Sequence, residues 1–175
     1  MYLPFTVHYT TPQTVRRCLE GWGTPVNLIM DAISVFAASE NPVPDTGSLE
    51  GDLRQLLRNV VALLERPEVL RLFRHIHSLD LGQDSARQLW QQFWGARFGI
   101  GTQVIERAIQ RGEVSHDVDG IDILEMLVGV TYVRAFLTGR PLDDSMIERA
   151  VRSVMDVAVQ RGAVAEGERG VRRSP

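Results

Sequence analysis

The sequence predicts an all-α protein built as a bundle of about six helices. In several long segments, apolar residues recur every three or four positions, as they do on the buried face of an amphipathic helix. Prolines, glycines and helix-capping residues separate these segments. No segment shows the strict apolar–polar alternation that is typical of a β-strand.

The first two predicted helices have clear boundaries. The first begins at Thr24-Pro25, because threonine can cap a helix and proline is tolerated at its first position. The segment 41–47, with two prolines and a glycine, ends it. Ser48 can cap the second helix, which Pro67 ends or kinks. Its apolar stripe comprises Leu49, Leu53, Leu56, Leu57, Val60, Leu63 and Leu64.

The spacing of apolar residues in the middle of the chain predicts a short helix and a long one. The short helix follows Pro67 and ends near Gly82. The long helix begins near Asp84 and keeps one apolar face for about five turns until Gly112, a good C-terminal stop.

The last two helices are apolar over more than one side. We expect them to cover Asp119–Thr138 and Asp143–Arg161, with a disordered tail after Gly162. Because one apolar stripe is enough to pack a helix into its own domain, the additional apolar surface predicts a homodimer through these helices. The alternative is that both helices lie in the core of a monomer. The predicted interface residues are Leu124, Val128, Tyr132, Ile147, Val151 and Val154.

Composition excludes several classes of protein. The 175 residues carry a net charge of −3 and one cysteine, so the chain has neither a broad basic field nor an internal disulfide. We find no signal peptide and no apolar run long enough to span a membrane, and we expect a cytoplasmic protein. His75 and His77 point in different directions on a helix, so they predict no metal site. No catalytic set or cofactor motif stands out, and we predict a protein that is not an enzyme.

Two stretches carry a family resemblance. "VPDTGSLEGDLRQLL" from Val43 and "VIERAIQRGEVSHDVDGIDILEMLVGVTYVRAFLTGRPLDDSMIERAV" from Val104 resemble the C-terminal domain of tetracycline-repressor (TetR) family regulators. The resemblance implies an effector-binding and dimerisation domain over residues 25–162, followed by the tail 163–175. It also implies that the first helix is the connector to a DNA-binding unit.

Residues 1–24 resemble only part of that DNA-binding unit, a three-helix helix-turn-helix. Thr14 and Arg17 match the start of its third helix and Trp22 matches its end, with about three residues too many between them. Pro25 stands where the family has a lysine. The candidate DNA-binding residues are Thr14, Arg16 and Arg17. We therefore expect weak, sequence-independent DNA binding, and operator binding only with an intact N-terminal unit. The alternative is a stand-alone dimerisation or ligand-binding module.

An aromatic cluster on the long helix predicts a site for a small apolar effector, because ligand sites in helical bundles lie between helices and are mostly apolar. The alternative is that these rings are packed core. The candidate effector-binding residues are Phe73, His77, Trp90, Phe93, Trp94, Phe98, Met126 and Tyr132. Gly95, Gly99 and Gly101 on the same helix allow either a close helix crossing or space for a ligand.

Overall fold

The structure is a computed structural model that describes residues 41–78 and 83–171, together with Val35 and Ser39. It describes side chains over 41–75, 87–88 and 90–158. The candidate DNA-binding residues Thr14, Arg16 and Arg17 therefore lie outside the described residues, as does most of the first predicted helix.

The described residues form six α-helices, one π-helix and no strand, which confirms the predicted all-α fold. The helices are α1 (Leu49–Leu64), α2 (Pro67–Ser78), α3 (Gln83–Gly101), α4 (Gln103–Gln110), α5 (Gly120–Tyr132), the π-helix Val133–Thr138 and α6 (Asp144–Val171). In the described part of the chain, no helix is long and apolar enough to cross a membrane.

Helix boundaries follow the capping residues that the sequence predicted. The hydroxyl of Ser48 accepts a 3.2 Å hydrogen bond from the Gly51 N–H at the start of α1. Asp119 accepts bonds of 2.8 and 3.3 Å from two N–H groups of α5, and Asp143 accepts one of 2.8 Å from Met146 in α6. Each bond satisfies an N–H that has no partner within its own helix, which fixes where the helix begins.

Helix α1 is the centre of the bundle and packs against α2, α4, α5 and α6. The predicted leucine stripe is the reason, since Leu49, Leu53 and Leu57 are wholly buried in one continuous core. At its edge, Arg54 Nε and Nη2 donate hydrogen bonds of 2.8 and 3.0 Å to the two carboxylate oxygens of Glu148 on α6. This two-point pairing fixes the orientation of α6 on α1.

The predicted long helix is two helices that meet at Thr102, so the expectation of one continuous helix to Gly112 is wrong. The Thr102 hydroxyl donates a 2.8 Å hydrogen bond to the Gly99 carbonyl, and a hydroxyl bound to the preceding turn favours a bend. A Cβ atom on Gly101 would lie 2.8 Å from Leu124 Cδ1. The glycine therefore lets α3 pass very close to α5 just before the break.

The last two helical segments also differ from the prediction. The residues after Tyr132 form a π-helix, in which the Gly139 N–H donates a 2.9 Å hydrogen bond to the Arg134 carbonyl. Gly139 has a φ of +64°, a conformation that favours glycine, and it ends the segment as expected. Helix α6 continues to Val171, past Gly162, so the predicted tail is helical over 163–171. A single glycine costs only about 1 kcal/mol in a helix, and the alanines that follow favour helix.

Candidate ligand-binding cavity

Seven aromatic rings from α2, α3, α5 and the π-helix form one connected cluster. Phe73 on α2 lies at its centre, with ring centroids 6.0 to 6.4 Å from those of four other rings. The rings of Trp94 and Tyr132 meet edge to face at 5.2 Å, a geometry that aromatic pairs prefer. The cluster comprises Phe73, Trp90, Phe93, Trp94, Phe98, Tyr132 and Phe136.

A cavity of about 280 Å³ adjoins this cluster, close to the lower end of the range for small-molecule sites, about 300 to 1,000 Å³. Its walls come from α1, α2, α3, α5 and the segment that precedes α1, and they are mostly apolar. The lining residues are Asn41, Pro42, Val43, Leu56, Val60, Leu63, Glu68, Val69, Leu72, Phe73, Phe93, Arg97, Phe98, Ile100, Gly101, Leu124, Val128 and Tyr132.

Four of the eight candidate effector-binding residues line this cavity: Phe73, Phe93, Phe98 and Tyr132. Trp90 and Trp94 belong to the aromatic cluster but do not line the cavity. They pack against the lining residues Phe73 and Phe93. Met126 lies elsewhere, on an exposed side of α5. The side chain of His77 lies outside the described residues.

The sequence did not predict the part of the cavity wall that α1 and the segment 41–43 supply. Leu56 and Val60 belong to the predicted leucine stripe, and periodicity alone does not distinguish stripe residues that fill the core from those that face a void. Asn41 was interpreted only as part of a helix stop. Arg97 falls within the apolar face of the predicted long helix, and a charged residue at that position is the signal that could have identified it.

Burial shifts the pKa of two polar groups of the cavity wall. Burial lowers the pKa of the half-buried Arg97 guanidinium, and the nearby Tyr132 phenol opposes this effect only in part. Burial also raises the pKa of Tyr132 well above its ordinary value. Both shifts have the same physical cause, since a low-polarity environment disfavours the charged form of each group. The cavity is therefore apolar enough to strengthen any hydrogen bond or ion pair made within it.

A network of polar contacts holds the segment between the cavity and α1. The buried Asp52 carboxylate accepts hydrogen bonds of 2.6 and 2.8 Å from the Thr46 N–H and hydroxyl. Arg107 on α4 donates to the Pro44 carbonyl and lies 3.4 Å from Asp45 Oδ2. Residues 44–46 are thus fixed to α1 and α4, whereas residues 41–43, one step earlier in the chain, form cavity wall.

The predicted dimer-interface residues lie mostly inside the chain's own core. Leu124, Val128, Ile147, Val151 and Val154 are each at most 7% exposed, and Tyr132 lines the cavity. In the chain by itself, neighbouring helices cover the five buried side chains. The outer side of α6 is polar, with exposed Arg149, Arg152, Ser153 and Asp156. The large exposed apolar residues of α5 and the π-helix are Ile121, Met126, Val133 and Leu137. Helical spacing places Met126, Val133 and Leu137 on one side, which we call the outer apolar face.

No group of three or more histidine, cysteine or acidic residues that could hold a metal ion occurs among the residues that the structure describes. His116 pairs with Asp117 at 3.2 Å in an exposed loop. The cavity wall has a few separate polar side chains among apolar ones, a composition that is typical of sites for small apolar molecules.

Comparisons with known proteins identify relatives of this chain. The family model described as "Tetracyclin repressor-like, C-terminal domain" matches residues 43–154. The chain is 28% identical over 136 residues to the HTH-type transcriptional regulator AqdR of Rhodococcus erythropolis, covering 77% of this chain and 64% of that protein. It is 26% identical over 130 residues to the uncharacterized HTH-type transcriptional regulator YdeS of Bacillus subtilis (strain 168), covering 74% and 66%. The chain thus spans just under two thirds of the length of these curated relatives.

A solved structure shares the fold. The crystal structure of a TetR family transcription regulator superposes with a TM-score of 0.72 at 20% identity, covering 86% of this chain and 82% of that one. At this identity the similarity establishes the helical architecture alone.

Proposed function

Because the chain belongs to the tetracycline-repressor-like C-terminal domain family, we propose that it is the effector-sensing and dimerising part of a transcriptional regulator. The observation that carries this proposal is the cavity of about 280 Å³ between α1, α2, α3 and α5. Atoms that line a cavity make fewer van der Waals contacts than atoms in a filled core. An apolar ligand next to the seven aromatic rings would restore these contacts.

The position of the cavity suggests how ligand binding is transmitted. Asn41, Pro42 and Val43 form part of its wall, while Pro44 and Thr46 are held to α4 and α1. Residues 41–43 directly follow the N-terminal part of the chain. A ligand that contacts them therefore affects the position of the segment that connects the cavity to the N-terminal residues. The ligand favours the arrangement of this segment that fits it best, and regulation follows if that arrangement changes DNA affinity.

DNA contact is assigned in this proposal to the N-terminal residues, with Thr14, Arg16 and Arg17 as candidates. The two curated relatives are named HTH-type transcriptional regulators, which supports a role in transcription. Measuring DNA binding at two salt concentrations, with and without ligand, tests this part. A steep loss of DNA affinity with rising salt concentration indicates contacts to phosphate. Tighter binding to one DNA sequence than to another indicates contacts to bases.

The cavity itself is tested by titrating the protein with apolar aromatic and aliphatic compounds and recording tryptophan fluorescence and thermal stability. Trp90 and Trp94 lie directly behind the cavity wall, so their emission is expected to change when a ligand binds. Leu72→Trp places a large side chain at a half-buried lining position and is expected to abolish binding. Equal binding by this variant and the unmodified protein would show that the compounds bind elsewhere.

Dimerisation, the second part of the proposal, is assigned to the outer apolar face of α5 and the π-helix. Met126 and Val133 are each 45% exposed and Leu137 is 79% exposed. Gly129 lies between Met126 and Val133, and nothing would contact a Cβ added there. A small residue flanked by apolar ones lets a second helix approach closely, and a two-fold axis would bring the same face of each subunit together.

A further inference from the structure

One guanidinium in the cavity wall has no ionic partner among the residues that the structure describes. Arg97 extends from α3 and is half-buried. In the described part of the chain no ion pair joins it to a carboxylate, and its electrostatic partner is the Tyr132 phenol. Because burial raises the pKa of this phenol, it is neutral at physiological pH and does not balance the positive charge.

The cost of this arrangement favours the binding of an anion next to Arg97. Removal of water from around a cation is unfavourable unless an opposite charge or good acceptors replace it. The lowered pKa of Arg97 has burial as its largest cause, so nearby groups do not compensate for the lost hydration. An anion bound in the cavity would supply that compensation.

The same wall carries a buried polar atom for which the described residues provide no hydrogen bond. Asn41 is 8% exposed, and its Oδ1 makes no hydrogen bond. Buried side-chain amides are almost always hydrogen-bonded. The Oδ1 atom of Asn41 therefore offers a second polar contact on the wall of an apolar cavity, and it suits a hydrogen-bond donor.

The single carboxylate among the lining residues does not favour a cationic ligand. Glu68 is exposed in the first turn of α2, where water and the positive end of the helix dipole stabilise its charge. Arg97 is the more buried of the two charges, so it gains more from a partner of opposite sign.

We propose that the effector is a small apolar acid whose carboxylate accepts hydrogen bonds from the Arg97 guanidinium while its apolar body fills the cavity. A hydroxyl or N–H group elsewhere on the molecule would donate a hydrogen bond to Asn41 Oδ1. The cavity volume of about 280 Å³ suits a body of one or two rings or a chain of medium length. This inference rests on the proposed function, since it takes the cavity to be the effector site.

Matched pairs of probes test the inference. Calorimetric titration of the full chain would compare 2-naphthoic acid, 4-phenylbutanoic acid and decanoic acid with the primary amide of each, which has a similar shape and no charge. Charge-assisted hydrogen bonds in a partly buried site predict that at least one acid binds about 10- to 100-fold more tightly than its amide. Arg97→Met is expected to remove this preference and to leave the affinity for the amide within about threefold.

Two further variants complete the test. Arg97→Lys keeps the charge and is expected to retain part of the preference for the acid. Arg87→Met changes an exposed arginine on the same helix and is expected to retain all of it. Amides that bind the unmodified protein as tightly as the acids would overturn the inference and leave the cavity as the effector site. Failure of all six probes to bind, or equal binding by Leu72→Trp, would instead overturn the proposed site and the inference with it.

Discussion

The Leu49 N–H donates a 2.6 Å hydrogen bond to Glu113 Oε2, which joins the first turn of α1 to the loop after α4 across 64 residues of sequence. Ser48 caps the same helix from its neighbouring position. Helix α1 is therefore capped by one local and one distant side chain, and the distant one fixes the central helix of the bundle to α4.

Removal of the distant cap is expected to destabilise the fold. Glu113→Ala would leave the Leu49 N–H without its acceptor and release Arg111, which pairs with the same carboxylate. We expect the free energy of unfolding in urea to fall by about 1 to 2 kcal/mol. Glu106→Ala, at an exposed position of α4, is the control and is expected to change it by less than about 0.5 kcal/mol. Equal effects of the two substitutions would contradict the capping role.

Two glycines of α3 are expected to respond in opposite ways to alanine. A Cβ on Gly101 would lie 2.8 Å from Leu124 Cδ1, and Leu124 is 1% exposed in the core. Gly101→Ala is expected to destabilise the protein by about 1 to 3 kcal/mol, because the core side chain must move. Gly95 has no atom within 4 Å of such a Cβ, so Gly95→Ala is expected to stabilise by about 0.5 to 1 kcal/mol. Thermal unfolding of both variants measures the difference, and a stabilising Gly101→Ala would mean that the two helices do not cross so closely.

Acidification is expected to remove the contribution of the Asp143 cap. The hydrogen bond from the Met146 N–H, followed by that from the Ser145 hydroxyl, lowers the pKa of Asp143. A carboxylate whose pKa is lower in the folded state stabilises the fold above its unfolded pKa of about 3.9, and this contribution is lost as the pH falls through the folded pKa. Asp143→Ala is therefore expected to lower the urea midpoint at pH 7 and to match the unmodified protein below the folded pKa. Asp156→Ala, exposed on the same helix, is the control. A difference that persists unchanged at pH 2 would refute the role of the charge.

Dimerisation through the outer apolar face is expected to be sensitive to charge. Met126→Arg and Val133→Arg would each place a cation at the centre of the proposed interface, and like charges would meet across the two-fold axis. We expect both variants to sediment as monomers at tens of micromolar and the unmodified protein to sediment as a dimer. Ser153→Arg, on the polar outer side of α6, is expected to remain dimeric. Dissociation by Ser153→Arg alone would place the interface on α6 instead.

The sequence alone determined the helical class, most helix boundaries and the family resemblance. Ser48, Asp119 and Asp143 identified three helix starts, because capping is a contact between a side chain and N–H groups two or three residues away. The leucine stripe of α1 was likewise readable, since one buried face imposes its own periodicity on the residues.

Only the tertiary structure decided which apolar face meets which neighbour. Val128 and Val154 were predicted at a subunit interface, but α1, α5 and α6 bury them against one another. Periodicity reports that a face is apolar and not what covers it. Periodicity likewise does not distinguish Phe93, which lines the cavity, from its neighbour Trp94, which packs against the lining residues. The position of Arg97 in the apolar face of α3 was visible in the sequence, but only the structure shows that it lines a cavity and that no carboxylate of the described residues pairs with it.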